Sequence, residues 1–314
     1  MTNKLFRNIF ILLFVTACFP GCIFEYPQPC EEVSNMRFFY LMNPENKDLF
    51  GESVNQVDVY IFDENGIYID KKSDKGPHIQ NNYNMPMNLP DGVYTFVVVG
   101  SKKSFFDIGV FDPNAASTKF DQGLITGKST LENFRLKTTY THNILFPLEI
   151  ESLLRGNLIR RTINKNDQSI LDVFMIQYRN NIRITIEGLD LTGYTPIIYA
   201  NNGRYDYENN IPADAQDKIY DAKVIKQNHE FQFDVLRLVE HSTMQLMFVD
   251  QQQQMIPGVK PINLIKEIQK SPSYSTQEAL DKEHFFDIKL DFSKDTQVAI
   301  TINGWEIVNT DPEV

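Results

Sequence analysis

Three cysteines in 314 residues are too few for a disulfide framework or a four-thiolate zinc site. Tryptophan occurs once, and glycine and proline fifteen times each, so collagen-like and low-complexity compositions are excluded. Positive charge is in deficit: 30 Lys and Arg against 41 Asp and Glu give a net charge of −11. Such a body repels phosphate backbones, which argues against nucleic acid as a partner. No apolar run reaches the roughly 20 residues that a bilayer-spanning helix needs. What the chain has in quantity is apolar and aromatic side chains, 42% and 12% of its residues, enough to bury a sizeable core.

The N-terminus reads as an export signal. Lys4 and Arg7 precede a short apolar run, Ile9–Val15, which ends in small residues and a cysteine. A small residue just before a cysteine is the pattern of a lipoprotein signal, in which the thiol is acylated and the amine becomes the new N-terminus. Val15-Thr16-Ala17-Cys18 fits that pattern better than Phe19-Pro20-Gly21-Cys22, although spacing from the apolar run allows either. Several acyl chains on one cysteine suffice for stable anchoring, whereas a single chain binds only marginally.

Beyond the leader, alternation of apolar and polar residues dominates. Val57–Phe62 alternates, Asp63-Glu64-Asn65-Gly66 turns, and Ile67-Tyr68-Ile69 resumes, which is a hairpin signal because Asn and Gly tolerate positive φ. Leu89-Pro90-Asp91-Gly92 is a second turn, followed by a strand at Val93–Gly100 with a long buried portion. Further strands are expected in Leu171–Leu189, Phe231–Val239, Met244–Val249, Phe285–Phe292 and Val298–Val308, and near Thr141–Phe146. Helical signals are few: Leu264–Ile268, stopped before Ser271-Pro272, and Ser275–Glu283, where Ser275 and Glu278 have capping-box spacing. Many short strands with regular turns predict an all-β chain of two β-sandwich domains in tandem with few short helices. The polar turn clusters near 155–167 place the division at about residue 160.

Chemical motifs are incomplete. Gly127-Lys128-Ser129-Thr130 resembles the end of a phosphate-binding loop, but Gln122 stands where that motif needs its first glycine. The five histidines, His78, His142, His229, His241 and His284, show no i, i+4 pair for zinc, and Asp63–Gly66 lacks the rest of a calcium loop. No Gly-x-Ser-x-Gly elbow occurs. The sequence therefore gives no support for an enzyme, a metal or a cofactor other than a covalent lipid. One segment stands apart. Tyr199–Tyr207 is polar, turn-rich and aromatic together, so Tyr199, Arg204, Tyr205 and Tyr207 are candidate contacts for a protein or glycan.

With these segments in place, the sequence resembles the FimB/Mfa2 fimbrial anchor lipoproteins of Bacteroidales. Five pieces carry the likeness over nearly the whole mature chain: Cys22-Ile23-Phe24-Glu25 with Cys30, Val57–Gly66, Leu89–Gly100, Ile182–Leu189, and Val298–Val308 with the single Trp305. The resemblance implies transthyretin-like (Greek-key) sandwiches and a lipid-anchored, surface-exposed protein of the outer membrane. It also shifts the lipidation site to Cys22, with Cys18 the alternative. On this reading residues 1–21 are a lipoprotein signal peptide, 22–32 a lipidated tether, 33–160 the first sandwich and 161–314 the second.

The function implied is that of an anchor or terminal subunit in pilus assembly and cell adhesion, acting by β-strand exchange. Its partners are a fimbrial pilin subunit and outer-membrane lipid. The alternative is a surface adhesin for host glycan or protein, with no polymerised fimbria. The strand at Val33–Met42, next to the lipid, is expected to stay intact at Arg37. Trp305 is expected in the core, and the Pro-broken tail Asn309–Val314 is too short to donate a strand.

Overall fold

The computed structural model describes residues 34–102, 106–111, 123–138, 151–164, 169–215, 217–227, 229–293 and 298–307. Residues 1–33 with Cys18, Cys22 and Cys30, the strand expected at Thr141–Phe146 and the tail from Val308 onward lie outside the described residues. The first half contains β1 (Asn35–Phe39), a helical turn α1 (Phe50–Ser53), β2 (Gln56–Phe62), β3 (Tyr68–Lys75), β4 (Asn84–Pro86), β5 (Gly92–Ser101), β6 (Phe106–Val110), β7 (Phe134–Thr138), β8 (Leu153–Gly156), β9 (Ile159–Ile163) and β10 (Ile170–Gln177). The second half contains β11 (Arg179–Glu187), β12 (Thr195–Ala200), β13 (Arg204–Tyr205), β14 (Lys218–Asp221), β15 (Lys223–Lys226), β16 (Glu230–Leu236), β17 (Met244–Val249) and β18 (Ile262–Asn263). Helices α2 (Leu264–Gln269) and α3 (Gln277–Lys282) follow, then β19 (Phe285–Asp291), β20 (Ala299–Ile302) and β21 (Trp305–Ile307). The protein is nearly all β, with few short helices, and its β-sandwich architecture is the one its composition and turns imply.

The first sheet has the order β3-β2-β5-β8-β10-β1-β4, with β9 also paired to β5. It curls over itself, so that Met36 and Phe38 of β1 and Val173 and Met175 of β10 meet Val57, Val59, Phe96 and Val98 in one core. The opposite face of β2 and β5 is covered as well: Tyr60, Phe62, Val97 and Val99 belong to a second core shared with the other half of the chain. Burial on both faces explains why Phe96–Gly100 is continuously apolar rather than alternating. Gly156 is required where the sheet folds tightly, since a Cβ there would stand 2.7 Å from Val173 Cγ1.

In the second half, the six-stranded sheet β15-β16-β11-β19-β20-β21 packs with the four-stranded sheet β14-β12-β17-β18. Alternation is strict in β11, where Asn180, Ile182, Ile184 and Ile186 point in and their neighbours stay partly exposed. Each fully buried Ile or Phe of this kind contributes about 1.5–3 kcal/mol from apolar area. The small sheet β13-β7-β6 joins the halves, because β13 comes from the second and β6 and β7 from the first.

Two features differ from the sequence reading. First-sheet strands run on to Gln177, past the expected cut at 160, and the chain passes into the second sheet through the single residue Tyr178. Near that expected cut, Arg155 and Gly156 end β8 and Asn157 begins its connection to β9, both strands of the first sheet. Where one strand was expected over Val298–Val308, the described residues form the hairpin β20–β21: Asn303 (φ 47°) and Gly304 (φ 82°) form a two-residue turn that pairs Ile302 with Trp305. Both positive φ values suit Asn-Gly.

Strand β1 lies parallel to β10, with Asn35 opposite Ile170 and Phe39 opposite Phe174. Since β10 runs directly into β11, β1 also runs toward the second sandwich and enters the fold at the pole farthest from it. Tyr40, just past β1, marks the junction: its hydroxyl donates to Gln177 Oε1 at 2.7 Å and lies 2.9 Å from His284 Nε2. Burial holds the His284 imidazole below its ordinary pKa of 6.5, only partly offset by nearby backbone carbonyls and by Glu283 and Asp281. The unfolded chain therefore takes up a proton on His284 at a higher pH than the folded one, and stability falls as pH drops through 6.5 toward the folded value. Chemical denaturation of His284→Gln between pH 7.5 and 5 should show a flatter pH dependence than wild type; equal slopes would remove His284 from the account.

Candidate functional site

A chain that works by contact with other chains needs open edges or exposed apolar side chains, and both occur on the second sandwich. The first sheet ends in β3, whose Asp70, Lys71, Lys72, Asp74 and Lys75 line the edge with charge, and in β4, three residues ending in Pro86. Charge, brevity and proline are the usual guards against strand addition. The six-stranded sheet ends in β15 and β21. On β15 the exposed Val224 and Ile225 are flanked by Lys223 and Lys226, and a register shift interrupts pairing with β16. β21 is as short as β4 and carries the exposed Glu306, but it has no lysine, proline or bulge among the described residues. Trp305 is 62% exposed there, and Phe285 is exposed at the start of β19.

Trp305 was expected in the core and is on the surface. The hairpin turn places it at the sheet edge, opposite Ile302, with no further strand beyond it among the described residues. Asn303 fixes this corner. Its side-chain amide donates to Tyr274 Oη at 2.6 Å and to the Phe285 carbonyl at 3.3 Å, while its Oδ1 accepts from the Asp287 N–H at 2.7 Å.

The segment Tyr199–Tyr207 is mostly an internal clasp. β13 pairs with β7, Arg204 opposite Lys137 and Tyr205 opposite Leu136, so alternation sends the Tyr205 ring into the core, where it is fully buried and 4.5 Å from the Tyr178 ring. The Tyr205 hydroxyl reaches the Arg237 carbonyl at 3.4 Å, and burial pushes its pKa well above the ordinary value. Arg204 is buried too: its Nη1 donates to the Asp214 carbonyl at 2.9 Å and to Asp214 Oδ2 at 3.0 Å, while Arg135 Nε donates to the other carboxylate oxygen at 3.0 Å. Tyr199 and Tyr207 are half-buried. The Tyr199 phenol bonds to Asp217, which pushes its pKa up to about 12, and Tyr207 is raised by burial. The structure thus sets Arg204 and Tyr205 in the β13–β7 bridge, away from solvent, and leaves Tyr199 on β12.

Other sequence candidates are turns. Ser129 Oγ accepts from the Ile125 N–H at 2.7 Å and Gly127 has φ 73°, so Gly127–Thr130 closes a loop against β3. The helix expected at Ser275–Glu283 is α3, but its cap is Thr276, whose hydroxyl accepts from the Ala279 N–H; Ser275 donates instead to the Pro272 carbonyl. Among the described residues no three His, Cys, Asp or Glu side chains stand close enough to hold a metal ion, and no helix is long and apolar enough to cross a membrane. A cleft of about 360 Å³ opens beside β2, lined by Asp58, Tyr60, Lys71 and Asp107 among others.

The junction between the halves holds charged groups that sequence reasoning missed. Arg237 forms a two-pronged pair with Asp281 at 2.6 and 2.7 Å, and its remaining nitrogen donates to the Asn209 carbonyl at 2.6 Å. Arg155, on β8, is fully buried with its guanidinium 5.3 Å from the Phe134 ring centre.

The profile of one protein family, described as fimbrillin-A associated anchor proteins Mfa1 and Mfa2, matches residues 28–311. No curated protein matches the chain at a significant level. Among solved structures, the chain is similar to a candidate polysaccharide-binding protein of Bacteroides thetaiotaomicron, with a TM-score of 0.74, 23% identity, and coverage of 88% of this chain and 98% of that one. It is similar to a candidate adhesin of Bacteroides ovatus at TM-score 0.70 and 21% identity, covering 87% and 94% of the two chains. It is also similar to the fimbrial anchor protein Mfa2 of Porphyromonas gingivalis at TM-score 0.63 and 17% identity, covering 88% and 98%. These likenesses establish a shared fold over most of the chain.

Proposed function

The chain belongs to the family of fimbrillin-A associated anchor proteins, and from that premise we propose that it is a lipid-anchored terminal subunit that holds a fimbria to the outer membrane through an added β-strand. The observation that carries the reading is the disposition of its two ends. β1 enters at the pole farthest from the second sandwich, and the edge β21, which presents the exposed Trp305, belongs to that second sandwich. A lipid on Cys22 sits twelve residues before Ser34, a reach of up to about 40 Å when extended. The membrane would then hold the first sandwich, and the pilin would meet the second.

At β21 a partner strand pairs with the exposed backbone and packs on Trp305, the mode of β-augmentation. The anchoring strand is not the one exchanged. β1 lies between β10 and β4, with Met36 and Phe38 fully buried and Arg37 bonded to both Asp172 oxygens at 2.9 and 3.0 Å. Releasing it would expose two large apolar side chains, at about 1.5–3 kcal/mol each.

Two substitutions test the reading. Cys22→Ala should abolish lipid labelling and release the protein, with its fimbrial material, into the medium, whereas Cys18→Ala should not; the reverse pattern would move the lipid to Cys18. Neither variant released would defeat the anchor. Trp305→Ala should leave the unfolding midpoint nearly unchanged, because the side chain is mostly exposed, and should weaken capture of the pilin. Undiminished capture would exclude this edge. A second reading, adhesion to host glycan or protein without a polymer, is favoured by the cleft beside β2, where Asp58, Lys71 and Asp107 offer charged partners to a sugar-like ligand.

A further inference from the structure

Arg155 raises a question of charge balance. Its side chain is fully buried in the junction, and none of its three guanidinium nitrogens has a hydrogen-bond partner among the described residues. Arginine does not shed its proton in proteins, so the charge stays. The Phe134 ring covers one side of the guanidinium plane and takes none of its N–H groups. No carboxylate bonds to the guanidinium: Asp281 pairs with Arg237, and Asp206, whose Oδ1 accepts the Glu208 and Asn210 N–H groups, acts on Arg155 only through space.

Two further buried atoms of the same junction lack partners among the described residues, Tyr178 Oη and Asn209 Oδ1. Tyr178 lies on the Arg155 side of the sheet, its N–H bonded to the Leu153 carbonyl, and Asn209 donates to the carbonyl of Gly156, next to Arg155. The junction therefore carries a buried guanidinium with no directly bonded counter-charge, five unused N–H donors and a phenolic O–H. A buried charge left in this state costs several kcal/mol. Water alone satisfies the donors but not the charge, whereas an anion satisfies both.

We propose that the junction between the sandwiches holds a small inorganic anion, such as chloride, bound to the Arg155 guanidinium with the Tyr178 hydroxyl as a further donor. Asn209 Oδ1, an acceptor, is served by a water beside it. The anion completes the packing of β8 against the second half of the chain, so its occupancy couples the two sandwiches.

The test uses the full mature chain in detergent, unfolded by heat at constant ionic strength while chloride is exchanged for gluconate. Above its dissociation constant, each tenfold rise in chloride should raise the wild-type midpoint by about 2–4 °C, and Arg155→Met should not respond. A wild-type midpoint indifferent to chloride, or an equal response in both proteins, overturns the proposal. If Arg155→Met does not fold, wild-type crystals exchanged into bromide decide: an anomalous peak against the guanidinium sustains the site, and water alone there overturns it.

Discussion

Replacing Asp281 by alanine lowers the unfolding free energy by about 3–5 kcal/mol, because it strands a buried guanidinium. Arg237 and Asp281 are both under a tenth exposed, and the pair ties the end of β16 to helix α3 within the second half. Burial alone would lower the Arg237 pKa; the Asp281 hydrogen bonds and charge, together with the Tyr178 and Tyr205 phenols, outweigh it, so the net shift is upward. Gln277 adds a hydrogen bond to the same carboxylate at 2.9 Å. The double variant Arg237→Met/Asp281→Leu removes both charges and should lose less than Asp281→Ala alone, since apolar replacements of a buried pair are often tolerated. Urea titrations of the three proteins read the difference. A double variant worse than the single one would mean that the bond from Arg237 to the Asn209 carbonyl, or packing, matters more than charge.

Tyr205→Ala should cost about 3–5 kcal/mol, the range for emptying a buried aromatic site, whereas Tyr205→Phe should cost well under half of that. The ring packs against Tyr178 within the shared core, and its hydroxyl makes only the long 3.4 Å bond to the Arg237 carbonyl. Loss of Tyr205 also loosens β13, the two-residue strand through which the second half joins β7. Any loss of glycan or partner binding in Tyr205→Ala would therefore report unfolding and not contact. Tyr205→Phe separates the two: binding retained in a stable protein assigns the residue to the core, and binding lost with stability intact would return it to the contact surface.

Local pattern made much of the fold legible. Asn65-Gly66 announced the β2–β3 hairpin, and Asp63 Oδ1 accepts the N–H groups of Asn65 and Ile67 as a turn of that kind demands. The Met244–Val249 strand and the two short helices also follow from pattern. The same Asn-Gly signal at 303–304 was hidden inside a run read as one strand, and with it the exposure of Trp305. Tyr205 was misplaced because polar neighbours suggested a loop, whereas one strand bridge to β7, far away in sequence, turns its ring inward. Arg155, Arg237 and Asp281 carry no local signature at all. Their meaning arises only when β8, β16 and α3 are brought together, which no window of sequence displays.

Extraction of the outer membrane in mild detergent, without heating, followed by pull-down on this protein tests the anchoring role most directly. Gels of heated and unheated samples should differ: a ladder of large species before heating, collapsing afterward to this chain and one co-purifying pilin, because strand-paired subunits separate only on unfolding. A protein that is recovered alone in both lanes, from cells bearing fimbriae, would contradict the fimbrial role and leave adhesion without a polymer as the function.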